Sequence, residues 1–323
     1  MPQPAVRRSH SRKVSGVLQP TVPADAWEAA VDTFLAECRR RNLSTATLEN
    51  YEWHLTGVRA RAFLKDHGVK SPDDLTVEML RAVEADLVKA GLSAQSVDTF
   101  HRILKNFLAF CLREGLGGSA RVLELKGPKL AQKEPETFTP AEEKRLLAAL
   151  KDRPRDLMLT ELMLRTGLRL QEVANLTVDD VMDSPQGAFL RVRQGKGRKD
   201  RVVPLDTPQD RLSGRLRRYV DKVRPKSRTE RALFLTSRAD GSGEPAALTP
   251  DAIQTLFKRL TRETGIHVNP HKFRHTFATR ALSAGVNVMA LQKALGHTTL
   301  AMVSRYVHYQ ADDLLVAWKQ RRD

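Results

Sequence analysis

Apolar and polar residues alternate with the period of an α-helix over the segment from Asp25 to Gly115. Apolar side chains recur three and four positions apart in four successive stretches. Ser44, Thr76 and Ser93 stand at the start of the second, third and fourth stretches, and these residue types cap helix N-termini. Because the connections between the stretches are short, we expect a compact four-helix domain.

A second helical region begins at Thr139. The segment Thr139–Glu142 has the residues of a capping box, with proline at the first helical position. Thr249-Pro250 and Asn269-Pro270 repeat the combination of a cap followed by proline, so they predict two further helix starts. This region is therefore expected to be mostly helical.

One part of the second region has the pattern of a β-hairpin. Residues 188–192 and 201–205 are short and rich in branched apolar side chains, and the loop 194–200 joins them with glycines and cations. Leu233–Leu235 is a candidate for a further strand. The fold class predicted is mainly α, with a small antiparallel sheet in a mixed α/β second domain.

Composition sets the boundaries between these parts. Residues 1–22 contain arginine and lysine but no acid, which predicts a disordered basic tail. Residues 116–138 are rich in glycine, proline and lysine with little periodicity, as expected of an interdomain linker. The two folded domains are therefore predicted at 23–115 and 139–323.

The charge of the chain favours a polyanionic partner. Lys and Arg number 54 against 38 acids, which gives a formal net charge of +16. The sequence has no apolar stretch long enough to span a bilayer and no signal-peptide core, so we expect no membrane association and a cytoplasmic, nucleoid-associated protein. Cys38 and Cys111 lie within apolar helical patterns and are expected to be buried free thiols, without a disulfide or a cysteine-based metal site.

An arginine and a glutamate stand together after Gly167. Gly167 can end one helix and the next begins near Leu170, which places Arg169 at a helix N-terminus, where its charge requires an anion. Glu172 follows by three positions and can lie on the same side of the helix. Taken alone, the pair is best explained as a surface ion pair that contributes little.

A histidine and an arginine occupy the start of the helix predicted after Asn269. His271 and Arg274 are three residues apart, and together with the helix amides they could grip a phosphate. Metal binding is the alternative, because His267, His271 and His275 recur every four residues. It is disfavoured because Pro270 should begin the helix after His267 and no acid accompanies the set. We therefore expect no metal.

The third segment contains Leu295-Gly296-His297 and, nine residues after His297, Tyr306. A single tyrosine is usually a half-buried aromatic residue. Phosphoryl transfer, however, requires a nucleophile beside an electropositive pocket, and two arginines, two histidines and a loop lysine are available in the other segments.

Taken together, these segments resemble the signature of the tyrosine recombinase family, the phage-integrase and Xer-type enzymes. Order and spacing agree over residues 139–309, and the four helices before them resemble the SAM-like core-binding domain of that family. One position departs from the pattern, since many members have threonine where this chain has Val303, followed by Ser304. The positions that match the signature are Arg169, Glu172, Lys196, His271, Arg274, His297 and Tyr306.

The resemblance implies that Tyr306 attacks a phosphodiester, forming a 3′-phosphotyrosyl bond and a free 5′-hydroxyl. The bond energy is conserved in this link, so neither ATP nor a divalent metal nor another cofactor is implied. Lys196 is implied as the general acid for the leaving 5′ oxygen, with Lys199 as its rival. Tyr309 is the rival nucleophile.

The resemblance also implies roles for the remaining residues. Arg169 and Arg274 bind the non-bridging oxygens of the phosphate in the transition state. His271 helps to deprotonate Tyr306, and His297 donates to the phosphate. Glu172 orients Arg169.

The implied partner is a double-stranded recombination site, clamped by the two domains and bound as a tetramer on two such sites. Basic side chains of residues 116–138 and 211–231 are expected against the DNA backbone, and a C-terminal helix at 312–321 against a neighbouring protomer. Two alternatives remain open: DNA relaxation like that of a type IB topoisomerase, and a non-catalytic DNA-binding relative. Every catalytic position is filled, which disfavours the second.

Overall fold

The computed structural model describes residues 25–130, 135–193, 200–207, 210–239 and 244–296. The chain divides into two compact units, one ending at Gln132 and one beginning at Lys133. The predicted basic tail, residues 1–22, lies outside the described residues. In the described part of the chain, no helix is long and apolar enough to cross a membrane.

The described residues of the first unit form helices and no strand, and the four predicted helices are confirmed. Asp25, Ser44, Thr76 and Ser93 each cap a helix by accepting a hydrogen bond from a backbone amide in its first turn. The helices are α1 (Ala26–Arg40), α2 (Thr45–Leu55), α3 (Val58–Asp66), α4 (Val77–Lys89), α5 (Ala94–Glu114) and α6 (Ala120–Glu124).

Two α-helices of this unit were not predicted. The apolar pattern runs on through Val58, but α2 ends at Leu55 and α3 begins after Gly57. A Cβ atom at Gly57 would collide with the main-chain oxygen of Trp53, so glycine is required where the chain turns. The other helix, α6, lies inside the segment predicted as a linker, and its Val122 is fully buried in the core of the first unit.

Aromatic side chains pack against one another in the core of this unit. Trp27 meets Phe107 with ring centroids 5.0 Å apart, and its indole Nε1 donates to the carbonyl oxygen of Leu55 over 3.0 Å. Cys38 and Cys111 are buried and free, as predicted. Burial raises the pKa of the Cys111 thiol to about 12, which keeps it protonated and unreactive.

The second unit combines seven α-helices and a 3-10 helix (Val178–Asp180) with short strands in its described residues. Its cap-plus-proline starts are confirmed at Thr139, Thr249 and Asn269, each of which caps the helix that follows. The helices are α7 (Pro140–Ala148), α8 (Pro154–Thr166), α9 (Leu170–Ala174), α10 (Leu212–Lys222), α11 (Pro250–Thr264), α12 (Pro270–Ser283) and α13 (Val288–Leu295). The strands are β1 (Val181–Ser184), β2 (Gly187–Val192), β3 (Arg201–Pro204), β4 (Asp206–Thr207), β5 (Asp210–Arg211), β6 (Leu235–Ala239) and β7 (Pro245–Ala247).

The predicted hairpin is formed by β2 and β3, which are antiparallel with Val192 opposite Arg201. Strand β1 pairs with the other side of β2, which gives a three-stranded sheet with β1 and β3 as its edge strands. The further strand expected at Leu233–Leu235 overlaps β6 only at Leu235. Strand β6 pairs with β7 in a separate two-stranded sheet.

Helices α8 and α12 pack closely at the end of α8. Gly167 ends α8 with a φ of +60°, a conformation that favours glycine. A Cβ atom there would lie 2.6 Å from Cδ1 of Phe277 on α12, so any larger residue would push the helices apart. Phe273 of α12 packs against Phe138 and Phe257 on its buried side. This packing fixes the position of Arg274 beside the end of α8.

Candidate active site

The candidate site is built around the carbonyl end of α13. The last carbonyl groups of a helix have no partner within it, and they carry the negative end of the helix dipole. Helix α13 ends at Leu295, and Gly296 follows in the left-handed conformation with a φ of +64°. The carbonyl oxygens of Ala294, Leu295 and Gly296 all accept hydrogen bonds from arginine side chains.

Three arginines from separate elements supply these bonds, and we call them the arginine cluster: Arg169, Arg201 and Arg274. Arg201 donates from Nε to the oxygen of Ala294 over 2.7 Å. Arg169 donates to the oxygens of Leu295 and Gly296 over 3.4 and 3.3 Å. A helix C-terminus stabilises nearby cations. The C-terminus of α13 therefore helps to hold the three positive charges close together.

Arg274 is the most deeply placed member of the cluster. It is only 5% exposed. Its Nη1 donates to the carbonyl oxygen of Gly167 over 2.9 Å, and its Nη2 donates to that of Leu295 over 2.6 Å. Arg274 therefore joins the end of α8 to the end of α13.

Glu172 holds two members of the cluster. Each of its carboxylate oxygens accepts two hydrogen bonds: Oε1 from Nη1 of Arg169 and Nη1 of Arg201, and Oε2 from the Arg169 amide and Nη2 of Arg201, all between 2.7 and 2.9 Å. Burial raises the pKa of this carboxyl group, but the bonds from the two arginines more than offset the effect and leave the pKa below its ordinary value. Glu172 is thus a fully bonded anion between two cations.

The contact between Arg169 and Glu172 predicted from the sequence is present, but it is not an isolated surface pair. Arg169 is the N-cap residue of α9, and its amide is bonded by the Glu172 side chain. Its own side chain is 35% exposed, against 12% for Glu172. Arg169 therefore reaches the surface from a buried anchor, so it can meet a ligand without leaving Glu172.

His271 stands apart from these contacts. It lies in the first turn of α12 and is exposed, with its ring stacked on that of His275 at a centroid distance of 6.3 Å. Among the described residues it makes no hydrogen bond to the arginine cluster. His267, which precedes the helix, pairs with Glu136 at 3.1 Å. No group of three or more His, Cys, Asp and Glu side chains in the described ranges could hold a metal ion.

Several predicted site residues lie outside the described residues. Lys196 and its rival Lys199 belong to the loop between β2 and β3. His297 is the residue that follows Gly296 in the sequence. Tyr306, its rival Tyr309 and the helix predicted at 312–321 also lie outside the described part.

Arg201 is a member of the site that sequence reasoning missed. Arg201 is the first residue of β3, an edge strand of its sheet, yet its side chain is only 8% exposed. The sequence of β3 does not reveal this, because Val202 and Val203 are both apolar, although Val202 is 55% exposed and Val203 is buried. Arg201 shares the inward face with Val203, and a buried arginine requires an anionic or carbonyl partner.

The cations of residues 211–231 are used in part by the protein itself. Arg215 pairs with Glu161 and Asp210, Arg217 with Asp183, and Arg231 with Asp179. These pairs neutralise charges that were expected to face DNA backbone. In the predicted linker, by contrast, Lys126 and Lys129 are exposed.

Comparison with protein families covers both units. Residues 136–312 match the phage integrase family, and residues 31–115 match the N-terminal SAM-like domain of phage integrases. The tyrosine recombinase XerC of Alcanivorax borkumensis is 32% identical over 289 residues, which cover 86% of this chain and 88% of that protein. The tyrosine recombinase XerA of Pyrococcus furiosus is 33% identical over 231 residues, 71% of this chain and 75% of that protein.

Solved structures show the same fold. The Tn1549 transposon integrase in complex with transposon right end DNA superimposes with a TM-score of 0.68 at 19% identity, covering 90% of this chain and 98% of that one. A lambda integrase tetramer bound to a Holliday junction gives a TM-score of 0.67 at 18% identity, covering 87% and 76%.

Proposed function

The chain belongs to the phage integrase family, and we propose that this site-specific DNA recombinase cleaves and rejoins DNA through a covalent link to Tyr306. The family match over residues 136–312 spans all seven predicted site residues. The observation that carries the proposal is the arginine cluster, because it brings two arginines predicted to bind phosphate to one point, next in sequence to His297.

Arg169 and Arg274 bind the non-bridging oxygens of the scissile phosphate in this proposal. Planar guanidinium groups suit the trigonal arrangement of those oxygens in the transition state. In the absence of DNA, main-chain carbonyls of α13 and α8 hold both side chains in place. The arginines are therefore positioned before the phosphate arrives, which lowers the reorganisation required during the reaction.

Tyr306 supplies the nucleophile, and its hydroxyl forms a bond to phosphorus while the bond to the 5′ oxygen breaks. An unperturbed tyrosine has a pKa of about 10, so a base must take the proton at neutral pH, and we assign this to His271. His271 is exposed in the first turn of α12, so its ring is accessible to another side chain. Lys196 donates a proton to the leaving 5′ oxygen, and His297 donates a hydrogen bond to the phosphate.

One experiment distinguishes a recombinase from the two alternatives, a topoisomerase and a non-catalytic DNA-binding relative. A supercoiled plasmid with two copies of the target site is incubated with the protein, and its products are analysed by electrophoresis. A recombinase yields deletion or inversion products, a topoisomerase yields only relaxed circles, and a non-catalytic relative leaves the plasmid unchanged. Tyr306→Phe is the matched control. The target site itself is identified by trapping covalent adducts in cells and sequencing the attached DNA.

The proposed assembly is four copies on two duplexes. Strand exchange requires two cleavages on each of two partners, and a lambda integrase of this fold has been seen as a tetramer on a Holliday junction. We place the protein in the cytoplasm at the nucleoid, where its DNA partner lies. Its net charge of +16 supports association with the phosphate backbone.

A further inference from the structure

We propose that Arg201 is a positioning residue for recombination, which acts by fixing Glu172 and, through it, Arg169. The inference rests on the proposed function, because it assigns Arg169 to the scissile phosphate. It adds to that site a residue which touches neither the phosphate nor the nucleophile.

The contact between Arg201 and Glu172 is a side-on pair. Nη1 of Arg201 donates to Oε1 over 2.9 Å, and Nη2 donates to Oε2 over 2.7 Å. Two parallel bonds between planar groups define the orientation of the carboxylate, which a single bond cannot do. Arg201 therefore determines which edge of Glu172 is presented to other groups.

Arg201 is anchored at its third donor as well. Its Nε donates to the carbonyl oxygen of Ala294 over 2.7 Å, so the guanidinium is held between α9 and the end of α13. Its side chain is 8% exposed. With the fork committed to Glu172 and Nε to Ala294, Arg201 is placed behind the site, not on its surface.

This placement limits what Glu172 can take from Arg169. Because Arg201 occupies the carboxylate side-on, Glu172 receives only one bond from the Arg169 side chain, at Nη1. Nη1 and Nη2 of Arg169 also donate to the carbonyl oxygens of Leu295 and Gly296, but over 3.4 and 3.3 Å, and the side chain is 35% exposed. Without Arg201, Glu172 could rotate and hold the Arg169 fork side-on, which would withdraw those donors from a phosphate.

Arg201 also connects the site to the hairpin. It is the first residue of β3 and follows Lys196 by five positions in the sequence. Its bonds to Glu172 and Ala294 fix the point at which the loop bearing Lys196 rejoins the sheet. A single residue thereby links the supports of Arg169, of the α13 end and of that loop.

The test compares Arg201→Ala and Arg201→Lys with the wild type and with Arg193→Ala. Arg193 is a matched control on the same hairpin: it pairs with Asp180 at 2.9 Å, and Arg191 keeps that carboxylate paired when Arg193 is removed. The probe is a nicked duplex with the sequence recovered by trapping. Three quantities are measured: DNA affinity, thermal unfolding and the single-turnover rate of adduct formation.

We expect Arg201→Ala to form the adduct about 10- to 100-fold more slowly, the range typical of lost supporting contacts, with DNA affinity within a few-fold of wild type. Arg201→Lys keeps the positive charge but lacks the two parallel donors, so its rate of adduct formation should lie between those of the wild type and Arg201→Ala. Arg193→Ala should match the wild type. In a Glu172→Gln background, Arg201→Ala should slow the reaction by a clearly smaller factor, because both residues act on Arg169 by the same route.

Three outcomes contradict parts of this account. An unchanged rate in folded Arg201→Lys and Arg201→Ala overturns the inference, and Arg201→Lys alone decides if Arg201→Ala does not fold. Equal rate losses with and without Glu172→Gln show that Arg201 acts on stability or elsewhere, which also overturns it. Absence of any adduct from wild type and Arg193→Ala overturns the proposed function, and this inference with it.

Discussion

The guanidinium of Arg274 donates a hydrogen bond of 2.6 Å to the carbonyl oxygen of Leu295, the last residue of α13. Two segments that the sequence presents separately, one around His271 and one around His297, are thus joined by a side chain and a main-chain atom. This hydrogen bond gives Arg274 a structural role in addition to its proposed chemical one. Arg169 is partly exposed, so its proposed role in the chemistry is accompanied by a smaller structural one.

Replacing each arginine with alanine should separate these roles. Both variants should bind DNA within a few-fold of wild type but cleave it about 100-fold more slowly, equivalent to losing about 2.7 kcal/mol of transition-state stabilisation. Arg274→Ala should also lower the free energy of unfolding by about 2–4 kcal/mol, because the buried carbonyl of Gly167 loses its donor and that of Leu295 keeps only the longer bond from Arg169. Arg169→Ala should lower it by only about 1 kcal/mol. Urea unfolding and gel-shift titration provide the measurements, and affinity losses as large as the rate losses would contradict the assignment.

Tyr306→Phe should bind DNA normally and form no covalent adduct with a nicked suicide duplex, because it removes only the attacking oxygen. Denaturing electrophoresis of protein bound to labelled DNA detects the adduct. Tyr309→Phe is the matched control and should form the adduct at the wild-type rate. Loss of the adduct in Tyr309→Phe alone would transfer the nucleophile to that residue.

Lys196→Ala should cleave slowly on ordinary DNA and recover on a duplex whose leaving 5′ oxygen is replaced by sulfur. A thiolate leaves without protonation, so the substrate bypasses the need for a general acid. Lys199→Ala should behave like wild type on both duplexes. The ratio of the two cleavage rates is the measured quantity, and an equal defect on both substrates would show that Lys196 does not donate the proton.

The stabilisation that Glu172 contributes to the folded protein should be lost in acid. Because its pKa is lowered in the folded state, its contribution to stability is complete above the ordinary glutamate pKa of about 4.3 and is lost as the pH falls through the lowered value. The wild type should therefore lose unfolding free energy more steeply below that pH than Glu172→Gln does. Urea titrations at a series of pH values test this, with Glu136→Gln, an exposed carboxylate, as the control. Parallel curves for wild type and Glu172→Gln would contradict it.

Deleting residues 311–323 should preserve folding and binding to a single site while abolishing the higher-order complex and recombination. The segment carries Leu314, Leu315 and Trp318 on one predicted helix face, between acids at its start and cations at its end. A helix this short requires a surface to cover that face, and we expect the surface to belong to a neighbouring protomer. Analytical ultracentrifugation with DNA measures the assembly. A truncated protein that unfolds, or one that recombines normally, would place the helix elsewhere.

Local signals in the sequence predicted most helix boundaries because capping is decided by a few adjacent residues. Thr139, Thr249 and Asn269 begin helices where the cap and proline indicate. The break at Gly57 was missed because Leu55 and Val58 keep helical spacing on both sides of it. Apolar spacing alone does not distinguish a continuous helix from two that share a core.

The candidate site was only partly predictable for a different reason. Arg169 and Glu172 are three residues apart, so helix geometry brings them together. Arg201 reaches Glu172 across 29 positions, and its contact with Ala294 spans 93. Such contacts depend on how β3 packs against α13, which no short sequence window contains. The signature positions include Arg169, Glu172 and Arg274, but not Arg201, which contacts Glu172 and the end of α13.

The pairing of Val192 with Arg201 has a consequence for which insertions and deletions this chain can tolerate. Side chains alternate between the faces of a strand, so a shift of β3 by one position exchanges Arg201 with Val202. An apolar side chain would then face Glu172, and the arginine would face water. Strand β3 therefore cannot slide along β2 by one residue without losing the contact between Arg201 and Glu172. A single residue gained or lost within 201–204 should therefore be inactivating.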